Sequence, residues 1–106
     1  MNTQFKKGIL DLCILKVIHD QEMYGFEIIE KLSKLLDVNE NTIYPILRRL
    51  TEQDLFEIYT KESLYGAPRK YYKITSKGIK QLEIYSTEWH QFIDNVMIIL
   101  KGEKHE

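Results

Sequence analysis

Asn41, Thr42, Tyr44 and Arg48 place an amide, two hydroxyls and a guanidinium within eight consecutive positions. Such groups donate hydrogen bonds to phosphate oxygens and to base edges in a DNA major groove. Whether they act together depends on one surface presenting them all. Ile43, Ile46, Leu47 and Leu50 fall at i, i+3, i+4 and i+7, the spacing that stacks side chains on one buried helical face. Stepping about 100° per residue then sets Asn41, Pro45, Arg48 and Glu52 on the opposite side, with Thr42, Tyr44 and Arg49 at the flanks. Taken alone, residues 41–50 suit an ordinary amphipathic helix with a solvated face equally well.

A second polar group lies further along the chain. Residues 61–80 hold six basic side chains, Lys61, Arg69, Lys70, Lys73, Lys77 and Lys80, against the single acid Glu62. Residues 20–40 carry six acids against two lysines, and residues 81–100 carry three acids and no Lys or Arg. The formal net charge of -1 is unpromising for a nucleic-acid binder, whose affinity comes largely from cations meeting phosphates. Charge sorted along the sequence nevertheless permits a basic patch on a nearly neutral protein.

The elements that position these groups are legible from apolar periodicity. Residues 4–19 predict a first helix that is apolar nearly all round, interrupted by Asp11 and Lys16, and such a helix must be covered on more than one side. In a chain this small, a second subunit is expected to supply part of the cover. A turn at residues 20–22 leads to a second helix after Met23-Tyr24-Gly25, with Ile28, Ile29, Leu32, Leu35 and Leu36 on its buried face. The third helix starts between Asn39 and Thr42, where Asn39, Asn41 and Thr42 all suit an N-cap. Pro45 bears on that choice, because proline is comfortable only in a first turn, so a start at Asn39 implies tight winding ahead of it.

Residues 56–61 and 69–75 each alternate. Phe56, Ile58, Tyr72 and Ile74 face inward, while Glu57, Tyr59, Lys61, Arg69, Tyr71 and Lys73 face outward. With a turn at residues 62–68 they make a hairpin that carries Lys61, Arg69, Lys70 and Lys73. Thr75 or Ser76 caps a last helix reaching about Lys101, after which residues 102–106 should fray. In that helix Leu82, Tyr85, Trp89, Phe92, Val96 and Ile99 step by 3, 4, 3, 4 and 3, a heptad seam of the kind that packs against a partner helix. Three helices followed by a hairpin is the winged helix-turn-helix order, in which the third helix enters the major groove. The expected fold is α+β and mostly α. A winged helix-turn-helix spans residues 1–75, and a C-terminal dimerisation helix spans residues 76–106.

Other chemistries find little support. His19, His90 and His105 are isolated, Cys13 is the only cysteine and lies in an apolar helix, and no glycine-rich phosphate loop or metal-spaced cluster occurs. No enzyme, metal site or cofactor is expected. A lone cysteine makes a reducing, cytoplasmic setting the default. The uninterrupted apolar run at residues 96–100 is far short of the roughly 20 residues that a membrane-spanning helix needs.

Three blocks of the sequence, Met23-Tyr24-Gly25, residues 41–50 and Gly66-Ala67-Pro68-Arg69-Lys70-Tyr71-Tyr72-Lys73-Ile74-Thr75-Ser76-Lys77-Gly78, together resemble the hallmarks of the PadR family of bacterial transcriptional regulators, short subgroup. The resemblance implies a winged-helix homodimer that usually represses transcription, often of stress-response or efflux functions. It implies DNA contacts from Thr42 and Tyr44 and from Arg69 and Lys70 on the wing. Two positions depart from the family pattern: Ala67 stands where arginine is frequent, and Asn41 where glycine is.

The resemblance further implies that Trp89 lies at a dimer centre, where some members stack planar drug-like molecules. An indole flanked by Tyr85, Phe92 and Ile93 can offer a flat face to an aromatic effector, or can fill the dimer core. Leu12 and Lys16 of the first helix are candidates to line the same space, with Lys16 meeting an anionic ligand. The expected partners are double-stranded DNA, a second copy of the chain and a planar aromatic effector, with no membrane. The competing expectation is a winged-helix protein-interaction module that does not touch DNA.

Overall fold

The computed structural model of the protein describes residues 3–102, with side chains from Gly8 onward. The expected fraying of residues 103–106 lies outside the described residues. Helix α1 (Thr3–Asp20) is followed by a two-residue strand β1 (Met23–Tyr24), helix α2 (Gly25–Leu36) and helix α3 (Glu40–Glu52). Strands β2 (Phe56–Ser63) and β3 (Gly66–Ile74) form the hairpin, and helix α4 (Ser76–Lys101) completes the chain. Among the described residues, no helix is long and apolar enough to cross a membrane.

Leu10, Ile14, Leu15 and Ile18 of α1 meet Ile28 and Leu32 of α2 and Ile43, Ile46, Leu47 and Leu50 of α3 in one core, closed by Met23, Leu55, Phe56 and Leu82. Burying an aliphatic side chain of this size stabilises by about 1.5–3 kcal/mol, so these faces fix how the helices dock. The apolar stripe of α3 is buried as its spacing requires.

Two expectations about the sheet need correction. It has three strands, in the order β1-β3-β2, because Met23 and Tyr24 pair with Tyr72 and Tyr71. The turn is also shorter than expected: the strands pair out to Ser63 and Gly66, leaving Leu64 and Tyr65 as the loop. Ile58 is 43% exposed, although it shares a face with buried Phe56, because β2 runs off the edge of the core after its first residue. On α2, Leu35 and Leu36 are 72% and 41% exposed rather than buried, since the end of that helix extends beyond what α1 and α3 cover.

The ends of four elements meet at one junction. The Leu55 N–H donates to the Leu50 carbonyl at the end of α3, and the Thr75 N–H donates to the Leu55 carbonyl, each at 3.0 Å. Thr75 Oγ1 donates to the Asp54 carbonyl at 2.7 Å and accepts from the Gly78 N–H at 2.9 Å, capping α4. A Cβ at position 78 would lie 2.3 Å from the Leu55 carbonyl oxygen. Glycine is therefore what lets α4 start directly against the hairpin root.

Candidate nucleic-acid interface

The start of α3 is set by Asn39. Its Oδ1 accepts from the Asn41 N–H at 3.0 Å, and its carbonyl accepts from both Thr42 and Ile43, at 3.1 and 3.2 Å. The Thr42 bond closes an i to i+3 turn, the tight winding expected of a helix that begins ahead of Pro45. Asn41, Thr42, Tyr44 and Arg48 are all exposed, while Ile43, Ile46 and Leu47 lie beneath them. Arg49 is set apart from this group. Its guanidinium donates to Asp11 Oδ1 at 2.8 Å, and Asp11 is 6% exposed. Hydrogen bonding to that carboxylate raises the Arg49 pKa above its ordinary value, and Tyr85 contributes in the same sense.

The hairpin brings its cations up beside α3. Tyr24, Gly25, Phe26, Tyr44, Arg69, Lys70 and Tyr72 line one open cleft of about 280 Å³. Tyr44 reaches this cleft because residue 25 has no side chain: a Cβ there would come within 3.2 Å of the Tyr44 ring. Tyr72 forms the floor. Burial raises its pKa first, Tyr44 raises it further, and Arg48 lowers it, so Tyr72 feels both of these α3 residues. The cleft therefore joins Tyr44 of α3 to Arg69 and Lys70 of β3.

On the outer face of the sheet, three tyrosines hold two of the cations. The Tyr59 and Tyr71 rings stack 5.5 Å apart at 18°, and Tyr24 lies 5.5 Å from Tyr71 at 56°. The Arg69 guanidinium sits 4.5 Å from the centre of the Tyr24 ring, and Lys61 Nζ sits 5.3 Å from that of Tyr71, both within cation–π range. The Tyr59 hydroxyl donates to Glu22 Oε1 at 2.5 Å, and this bond is the main cause of a Tyr59 pKa pushed up to about 12. Lys73 is placed less favourably, opposite Glu57 in the strand register, where a carboxylate offsets its charge.

The candidate effector residues divide within one chain. Leu12 and Lys16 line an apolar groove of about 340 Å³ with Cys13, Leu35, Leu82 and His90, and Trp89 is not among its lining residues. Lys16 Nζ pairs with Asp20 at 2.9 Å on the exposed rim of that groove. Trp89 packs edge-on to Phe92, with ring centres 5.6 Å apart, and its ring would lie 3.5 Å from a Cβ at position 8. Tyr85 packs against the core, whereas Phe92, Ile93 and Ile99 are 51%, 45% and 75% exposed and Val96 is half-buried.

Sequence reasoning gave Tyr24, Gly25 and Asp11 no role. Met23-Tyr24-Gly25 was a usable signal, since a tyrosine and a glycine ahead of a helix start invite a question about what packs there. Asp11 carried one as well, as the only carboxylate within the largely apolar residues 4–19.

Comparison with known proteins bears on the same surfaces. Residues 14–84 match the model of the transcriptional regulator PadR-like family. A PadR-like transcriptional regulator from Bacillus cereus is 42% identical, with 95% of this chain and 100% of that one covered and a TM-score of 0.86. A PadR family transcription regulator from Clostridium difficile is 32% identical over 88% of this chain and 98% of its own, with a TM-score of 0.75. An uncharacterized protein of Lysinibacillus sphaericus is 31% identical over 91% of this chain and 92% of its own length. With a family match across most of the sequence and a winged-helix body whose α3 and hairpin share one cationic rim, the chain belongs to the PadR-like family of transcriptional regulators.

Proposed function

We propose that this regulator is a cytoplasmic homodimeric repressor that reads a pseudo-palindromic operator. Two α3 helices would lie in successive major grooves, about 34–36 Å apart. Asn41, Thr42, Tyr44 and Arg48 would contact base edges or phosphates from α3, while Arg69, Lys70 and Lys61 grip the backbone from the hairpin and Lys73 adds less. The observation that carries this reading is the single cleft joining Tyr44 to Arg69 and Lys70, since a helix and a wing with a common rim address one duplex. The repressor sense follows from the family resemblance. The DNA-binding part would be residues 1–75 and the dimerisation part residues 76–106, in which α4 carries the seam of Leu82, Tyr85, Trp89, Phe92, Val96 and Ile99 that would meet a second copy.

A salt-dependent mobility shift with DNA from around its own gene tests this reading. Binding is expected to weaken as salt rises, and Arg48→Ala and Lys70→Ala should each reduce the salt slope by about 1. Absence of binding at low salt, or binding unchanged by both substitutions, would favour the protein-interaction module instead. A planar aromatic effector would stack on Trp89 between Tyr85 and Ile93 at the dimer seam. Titrating tryptophan fluorescence with aromatic acids and planar cations tests this, and a flat response across the panel assigns Trp89 to packing.

A further inference from the structure

Leu64 and Tyr65 are 91% and 95% exposed, the most exposed of the large apolar side chains in the described chain. Isolated apolar residues on a surface are ordinary, but these two are adjacent and occupy the end of a projecting element. Strand β1 supports β3 only at Tyr71 and Tyr72. From Tyr71 to Gly66 the hairpin thus runs as a free two-stranded ribbon for about 17 Å.

Folding does not account for the two residue types. Neither side chain enters the core. Neither residue has a positive φ, so the loop sets no special backbone demand, and two-residue loops ordinarily carry Asn, Asp or Gly. An exposed Leu-Tyr pair adds no evident stability and enlarges the apolar surface open to water. Its surroundings indicate the partner. Lys61 and Arg69 face one another three and four residues behind the tip, Lys70 follows, and Glu62 is the single carboxylate between Glu57 and Glu83. A narrow apolar tip ahead of a cationic collar complements a groove with phosphate walls and a less polar interior. Minor-groove binders commonly insert apolar side chains in this way.

We propose that Leu64 and Tyr65 at the hairpin tip enter the minor groove of the bound duplex and make an apolar contact there, flanked by Lys61 and Arg69 on the phosphates. The contact rests on the DNA-binding reading above and extends it from charge to shape. It contributes affinity that does not depend on counterion release, because neither side chain carries charge.

The test is fluorescence anisotropy of the full chain with a labelled double-stranded fragment from upstream of its own gene, across a series of potassium chloride concentrations. Leu64→Ser/Tyr65→Ser should weaken binding about tenfold at every concentration, with the slope of log K against log salt unchanged. Leu64→Met/Tyr65→Phe should bind like the wild type. Lys61→Ala should behave differently, lowering the slope by about 1. Both double variants should melt with the wild type, as the exposure of the tip requires. The proposal is overturned if the serine variant binds within about twofold of wild type, if its salt slope falls, or if the Met/Phe variant loses as much as the serine one. Failure of the wild-type chain to bind any DNA at low salt would instead overturn the reading on which the proposal rests.

Discussion

Arg69 and Lys61 differ from the other hairpin cations in lying over aromatic rings, which narrows the positions their charges can occupy before DNA arrives. Holding a long side chain near its bound geometry reduces the entropy lost on binding. Tyr24→Leu should therefore weaken DNA binding severalfold, by removing a contact of about 0.5–1 kcal/mol, while Tyr24→Phe should be silent in the same anisotropy measurement. Tyr59 offers a check on the sheet's outer face. Its pKa, pushed up to about 12 by the bond to Glu22, means that the folded chain favours the neutral phenol. That stabilisation is complete below the ordinary tyrosine pKa of about 10 and is lost as pH rises through about 12. In a spectrophotometric titration Tyr59 should ionise late, and Glu22→Gln should bring it back toward the ordinary range. At this scale the sequence showed which α3 residues point outward. It did not show the Asp11 to Arg49 pair, whose members are 38 positions apart, because periodicity reports which face a residue is on and not what sits across from it.

The Asp11 to Arg49 contact ties α1 to α3, and its two ends should respond unequally to truncation. Arg49→Ala leaves a carboxylate buried without its cation and should cost about 3 kcal/mol in urea denaturation. Asp11→Ala leaves a guanidinium that is already one-third exposed and can turn toward water, so it should cost about 1–2 kcal/mol. Gly78→Ala should be more damaging than an exposed helical site would suggest, by more than about 2 kcal/mol, since the new methyl would meet the Leu55 carbonyl backbone. A thermal melt at fixed protein concentration would show it. The helices and the hairpin were legible because each carries many repeats of its period. Strand β1 was not, as two residues cannot display an alternation and its pairing partner lies far along the chain. Leu35 and Leu36 continue the apolar stripe of α2 beyond the helices that cover it, a limit that depends on where the neighbours end.

For the molecule as a whole, the radius of gyration of 16.5 Å exceeds the roughly 13 Å expected of a compact chain this long, and the outer part of α4 carries the excess. Phe92, Ile93, Met97, Ile98, Ile99 and Leu100 are each between 44% and 75% exposed, apolar surface that calls for a partner. Sedimentation should find a dimer, and Ile99→Glu should raise its dissociation constant about a hundredfold by setting a charge within the seam. The junction of Leu50, Leu55, Thr75 and Gly78 then acquires a mechanical meaning. With no slack between the hairpin and α4, a change in the direction of α4 would carry the winged-helix body, α3 included, as one piece. Asn41 stands about 15 Å from the junction along α3, so a turn of only about 5° would move it more than about 1 Å, beyond the spread of good hydrogen-bond lengths. In the dimeric repressor proposed above, a few degrees at this joint would be enough to spoil the fit to an operator.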